Sequence, residues 1–347
     1  MMFAGSAWKP DSKTVRVFLI DHAIEVVLVV LAVGMAIGVP HFMTWDNWMN
    51  ILRANSLKGI IAFGMTVAII AGLIDLSIGS TVALSGVIVA RMCRDLPAAG
   101  MDVNSACLLG IVVALGVGVA IGWIHGVSSH KFAMPPFIVT LVTLNALYGV
   151  AGMVSGGFPI SNQFPDWFNV LGGGRIPVPG FLAAMSGRAS LEGVPVPAVV
   201  LLISFAVVAF LMRYTTIGRS AYATGGNAEA ARLSGINVGA TKVVSFIIVQ
   251  VLAVISGFMT AGQLLAGSFS FGRGWELDVI AAVIIGGTSF TGGVGTVWGT
   301  LLGVIFMGML ANGMTLLNFD VYLQFVVRGV VMFVAVLISS YREQLKL

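Results

Sequence analysis

The chain has 347 residues, 58% hydrophobic and only 9% charged, with 18 Lys+Arg against 14 Asp+Glu. Soluble domains carry roughly 25% charged residues, so a water-soluble globular fold is excluded. A mean hydropathy of +1.02 points to one bundle of spanning helices rather than two soluble domains. The net charge of +4 contains no Lys/Arg block, which excludes a nucleic-acid-binding face.

At the N-terminus, Lys9, Lys13 and Arg16 precede an apolar run from about Ala23 to Val39. The run is too long for a signal-peptide core and lacks a small-x-small cleavage site, so it reads as a retained first span. Stretches of spanning length then follow in order, giving ten expected helices: 19–39, 58–74, 77–92, 105–127, 135–155, 196–212, 241–265, 277–290, 295–317 and 321–340. An even count puts both termini on one side. A Lys/Arg tally of ten, including Arg213, Arg219, Arg232 and Lys242, against seven, including Arg53, Lys58, Arg175 and Arg273, makes that side the cytoplasm.

Glycines recur at four-residue spacing in Gly34/Gly38, Gly118/Gly122/Gly126 and Gly295/Gly299/Gly303. Such ladders let helix backbones approach closely, within one subunit or across a homodimer seam. Two segments break apolar runs with small and polar residues: Gly72–Ser80, containing Asp75 and Ser77, and Ile285–Gly295, containing Thr288 and Ser289. Paired broken segments are the hint of an internal repeat, here 58–155 against 241–340.

Between these halves, residues 156–195 are Gly/Pro-rich and nearly uncharged, with Phe164, Trp167, Phe168 and Phe181. They read as an extracytoplasmic loop with its aromatics near the aqueous interface. Residues 213–240 read as a cytoplasmic segment with a short helix at its centre. Asn227 suits the N-cap, Glu229 the positive first turn, Arg232 the negative end and Gly235 the stop. Ala230, Ala231, Leu233 and Ser234 complete it. Two turns are marginal alone in water, so the helix docks either on its own domain or on a separate protein.

Two acids and an arginine fall at membrane depth, where each needs a partner or a wet cavity. Asp75 either caps the helix restarting near Leu76, accepting from N–H groups near Ser77 and Ile78, or lines a path with Ser77, Thr288 and Ser289. Arg328 lies about 10 Å along the last helix, near the depth of Asp278, which makes Asp278 a better partner than Glu25.

No GxxxxGK[ST] occurs, so the chain has no phosphate loop of its own. His22, His41, His125 and His130 show no metal-ligand spacing with Cys93 and Cys107, so no metal site is expected. The cysteines form neither a CxxC pair nor a disulfide framework. Ser289 beside glycines with a remote His125 is better explained as small polar residues at a helix break than as an intramembrane protease.

Several strings, in order, resemble the permease subunits of bacterial ABC importers for monosaccharides of the ribose, xylose, arabinose and galactoside type. They are Phe42-x-Thr-Trp-x-Asn-x-x-Asn-Ile-Leu52, Gly64-Met-Thr, Ile74-Asp-Leu-Ser-Ile-Gly-Ser80, Phe137-Ile-Val-Thr-Leu141, Gly225-Gly-Asn-x-Glu-Ala-Ala-Arg-Leu-Ser-Gly-Ile236, Glu276-Leu-Asp-x-Ile-Ala-Ala282 and Gly286-Gly-Thr-Ser289. The resemblance runs nearly end to end and departs at Arg328, where lysine is expected, and over 158–195.

It implies an all-α polytopic fold of ten helices in the bacterial inner membrane, and a homodimer around a central path. It also implies a cytoplasmic ABC ATPase holding ATP and Mg, and a periplasmic sugar-binding protein. It further implies that Asn227–Gly235 faces the ATPase. An ion-coupled secondary carrier with Asp75 as coupling site is the competing class. An intramembrane enzyme would need a nucleophile and base at membrane depth, which the sequence does not display.

Overall fold

The computed structural model describes residues 23–161, 164–180 and 191–345. Lys9, Lys13, Arg16, Phe181, Arg188 and Lys346 lie outside them. The described chain is an all-α membrane-type bundle. Its elements are α1 (Ala23–Gly38), α2 (Trp45–Ile70), α3 (Ile78–Ala98), α4 (Val103–Lys131), α5 (Pro136–Ser155), α6 (Asp166–Gly173), α7 (Val196–Tyr214), α8 (Thr216–Gly226), α9 (Ala228–Leu233), α10 (Val238–Leu264), α11 (Trp275–Ile285), α12 (Val297–Leu316) and α13 (Val321–Leu345). Six of these, α2, α4, α5, α7, α10 and α12, are long and apolar enough to cross a membrane.

Local chemistry sets the helix ends. Thr44, Asp102, Asn237 and Thr296 each accept a backbone N–H with their side chains at the start of α2, α4, α10 and α12. Pro136 opens α5, where a missing N–H costs nothing, and Gly156 closes it in the left-handed conformation.

α10 is the axis of the bundle, packed by α2, α3, α4 and α6. The glycine ladder of α4 lies directly on it: methyls on Gly122 and Gly126 would strike the backbones of Ile247 and Val243. Gly299 and Gly303 similarly bring α12 against Gly286 and Ala282 at the end of α11, whereas a methyl on Gly34 or Gly38 would meet open space. Two ladders therefore pack within the subunit and the α1 pair faces outward. Polar links join α2 to α12 through reciprocal Asn47–Asn312 amide bonds of 2.9 Å and the Thr66–Thr300 hydroxyls at 2.6 Å, the interhelical bonding that apolar surroundings favour.

Several boundaries differ from the sequence reading. The second helix starts at Trp45 instead of 58, because the Thr44 cap and the amphipathic stretch after it are helical; Arg53 and Lys58 therefore lie on α2 and not in a loop. The eighth stretch is helical only over the eleven residues of α11, since Gly286 and Gly287 end it. The loop after α5 folds back into the bundle: α6 buries Phe168 completely, and Gly172 abuts the backbone of Met259 and Gln263. Phe168 is thus core instead of an interface residue. Two short antiparallel pairs, Ile160–Ser161 (β1) with Ala266–Gly267 (β4) and Arg175–Ile176 (β2) with Val194–Pro195 (β3), tie this loop down.

Candidate functional site

Four groups of residues carry polar or mechanical chemistry, and three converge near one end of the bundle. The first is the short α8–α9 segment. Asn227 has extended backbone (φ −159°) and its Oδ1 accepts from Ala230 N–H at 2.9 Å. Gly235, at φ +83°, takes the left-handed turn that stops the chain after Ser234. Glu229 and Arg232, one turn apart, pair with each other at 2.6 Å. Hydrogen bonding to that guanidinium, with its charge, holds the Glu229 carboxyl below its ordinary range. The faces of α9 are unequal. Ala231 is 4% exposed and turned onto its own bundle, while Leu233 is 75% exposed. Leu233, not Ala231, is the large apolar residue this helix presents outward.

The second group is the break between α2 and α3. Its polar core is fully buried, with Asp75 and Gln250 both 0% exposed. Asp75 Oδ1 accepts from the Ser77 N–H (2.8 Å) and hydroxyl (2.7 Å), and Oδ2 accepts from Gln250 Nε2 (2.7 Å). Gln250 Nε2 also donates to Ser77 Oγ at 2.9 Å, and its Oε1 accepts from Thr81 at 2.6 Å. His125 Nδ1 on α4 stands 3.4 Å from Asp75 Oδ2, its ring edge-on to Phe246. Helix α3 begins at Ile78 with Ser77 at its N-cap, so the helix restarts two residues later than Leu76, and the Asp75 carboxylate accepts from the Ser77 N–H just ahead of it, one of the donors the capping reading named. The network joins the break to α3, α4 and α10 at about 18 Å along α10 from its start. Neither His125 nor Gln250 was legible as a partner: both sit on long uniform apolar helices, where only a fold brings them to Asp75.

The third group is the break between α11 and α12. Thr288 is fully buried beneath Gly295, its hydroxyl without a hydrogen-bond partner among the described residues. Ser289 Oγ lies 2.9 Å from Thr291 Oγ1. The hydrogen bonds of Asp75 and Ser77 run to α10, not to Thr288 or Ser289; the two breaks meet instead through backbone, with Gly293 N–H donating to Ile70 O at 2.8 Å. Farther along the bundle the starts of α3 and α11 also meet: a methyl on Gly79 would clash with Gly272 O and come within 2.7 Å of Glu276 Oε2.

The fourth group is an ion cluster that joins α2, α11 and α13. Arg328 Nη1 lies 3.5 Å from Asp278 Oδ2, and Lys58 Nζ lies closer, at 2.5 Å from the same oxygen. Together with Asn55, Val304 and Met307 they line a small cleft between α2, α11, α12 and α13. Two cations on one partly buried carboxylate is a glue-like arrangement, since each would be costly alone in apolar surroundings.

Over residues 47–336 the sequence matches the family model described as branched-chain amino acid transport system / permease component. It is 38% identical over 330 residues to the ribose import permease protein RbsC of Haemophilus influenzae, covering 95% of this chain and 96% of that protein. It is 36% identical over 331 residues to RbsC of Escherichia coli, covering 94% and 96%. To the L-arabinose ABC transporter permease protein AraH of Azospirillum brasilense it is 33% identical over 320 residues, covering 92% and 87%. No solved structure matches the chain.

Proposed function

The chain belongs to the branched-chain amino acid transport system / permease component family, and from that premise we propose that it is the membrane permease of an ATP-binding cassette importer for a monosaccharide such as a pentose. The observation that carries the solute class is whole-chain similarity to permeases named for ribose and arabinose. Energy comes from a separate cytoplasmic ATPase that holds ATP and Mg, because this sequence has no phosphate loop. A periplasmic binding protein delivers the sugar. The permease works as a homodimer in the bacterial inner membrane with both termini cytoplasmic.

Ten spans make up the subunit in this reading: the six long apolar helices, α1, α3 and α13, and α11 together with the irregular stretch that precedes it. The repeat halves 58–155 and 241–340 are supported by the meeting of α3 and α11 at their starts, Gly79 against Gly272. Residues 156–195 form the extracytoplasmic loop, and residues 213–240 the cytoplasmic coupling segment. Within that segment Asn227, Glu229, Ala230, Arg232, Leu233, Ser234 and Gly235 build and present the helix that enters the ATPase, and Ala231 seats it on the bundle. Asp75 and Ser77 hold the first break in shape, and Thr288 and Ser289 border the translocation path at the second. Lys58, Asp278 and Arg328 brace α2, α11 and α13.

The ion-coupled carrier is less well supported. Asp75 is closed in by four protein groups, and α9 presents an apolar side chain to solvent without a transport role in such a carrier.

Co-expression with the candidate ATPase tests the reading. A tagged permease should capture the ATPase, and Leu233→Glu should weaken capture at least 10-fold while the membrane yield stays unchanged, because the exposed anchor of α9 touches little of its own bundle. Capture at wild-type affinity by Leu233→Glu would remove α9 from the interface.

A further inference from the structure

Three stretches of backbone meet at a point that no side chain separates. The end of α2 supplies the Ile70 carbonyl and Gly72, the end of α8 supplies Gly225, and the second break supplies Gly292 and Gly293. The Gly293 N–H bonds to Ile70 O at 2.8 Å. A methyl on Gly225 would fall inside the van der Waals shell of Ile70 O and 2.6 Å from Gly293 N. One on Gly292 would lie 3.0 Å from Gly225 O and 3.1 Å from Gly72 Cα. Gly72, Gly292 and Gly293 all have φ between +73° and +95°, where a side chain is strained regardless of space. A hydrogen bond of 2.7 Å from Tyr222 Oη to Gly295 O ties α8 to the second break independently of the glycines.

We propose that Gly225 is the point at which movement of the α9 segment passes to both helix breaks at once. The inference rests on the proposed role of α9 as the ATPase contact and deepens it. Asn227, two residues after Gly225, is the N-cap of α9, so displacement of α9 acts on Gly225 through the shortest possible length of chain. The atoms nearest the position of a Gly225 side chain are main-chain atoms of Ile70, where α2 ends, and of Gly293 in the second break. Backbone packed on backbone has no flexible side chain to absorb a shift, so displacement is transmitted. The breaks are the parts of the bundle with fewest internal helix bonds, and hence the parts able to hold two arrangements, which coupling requires. A single contact serving both breaks makes them move together, which would open or close a path between the repeat halves in one step.

Gly225 is a positioning residue in this scheme, and the readout must separate coupling from stability. In proteoliposomes with the ATPase and the sugar-loaded binding protein, the number of sugars imported per ATP hydrolysed is that readout. A merely destabilised transporter loses both activities in proportion and keeps the ratio. Gly225→Ala should assemble with the ATPase at normal affinity and lower the ratio at least 10-fold, with stimulation of hydrolysis by the loaded binding protein lost. Gly226→Ala, whose methyl would meet open space, should leave the ratio at the wild-type value. If Gly225→Ala fails to assemble, Tyr222→Phe decides, since it removes one bond without adding volume; a two- to five-fold lower ratio is expected. A wild-type ratio in an assembled Gly225→Ala or, where that variant fails to assemble, in Tyr222→Phe overturns this inference while leaving the permease reading intact. Failure of the unmutated chain to capture any ATPase would overturn both.

Discussion

At Asp75 both carboxylate oxygens accept hydrogen bonds from the protein, and that arrangement makes a sharp mutational claim. Asp75→Asn keeps the size but turns an acceptor into an NH2 group facing either Ser77 or the Gln250 amide. One buried pair then becomes donor against donor, which costs about 1–3 kcal/mol. Gln250→Glu added to Asp75→Asn restores an acceptor for the introduced amide and keeps one for the Thr81 hydroxyl, so the double variant should recover most of the thermal stability in detergent that the single variant loses. Equal instability of the single and double variants would mean that the network is not what holds the break. The sequence made the presence of Asp75 at a break readable, and it made the depth match of Arg328 and Asp278 readable by counting residues along helices. Lys58 was not readable as their companion. Its assignment to a loop followed from starting the second helix at 58, because the polar residues of 45–58 masked a helix whose buried face packs on α12.

Whole elements were more legible than their ends. The α9 signals Asn227 and Gly235 correspond to a cap bond and a left-handed stop because capping is local chemistry. Which face of α9 is outward was not legible: six residues carry no periodicity long enough to distinguish Ala231 from Leu233. The glycine ladders looked alike in sequence and differ in the fold, which yields a paired expectation. Gly126→Ala places a methyl against the Val243 main chain in α10, where only backbone movement can relieve it, and overpacking of this kind costs about 1–3 kcal/mol. Gly38→Ala meets open space in the subunit. Thermal unfolding in detergent should show a clearly lower Tm for Gly126→Ala than for Gly38→Ala. A Gly38→Ala variant that instead loses a dimer on a sizing column while keeping its subunit Tm would place the α1 pair on the homodimer seam. Equal Tm loss in both would refute the sorting of the ladders.

On the scale of the molecule, α10 forms a post packed by α2, α3, α4 and α6, and the two helix breaks meet at the end of α8. Composition alone made a spanning bundle unavoidable, because so few charges cannot solvate a soluble surface of this size. The short β pairs and the inward packing of α6 were invisible to it, since two-residue strands and a buried Phe168 depend on distant partners. The division of labour proposed above is specific: in it the permease shapes the path, and chemical energy enters only through a partner at α9. Uptake by proteoliposomes measures this directly. Ribose or arabinose should accumulate only when the permease is reconstituted with the ATPase, internal ATP and Mg, and external sugar-loaded binding protein, with no accumulation when any one is omitted. Accumulation of sugar by the permease alone, driven by a proton or sodium gradient, would contradict the account.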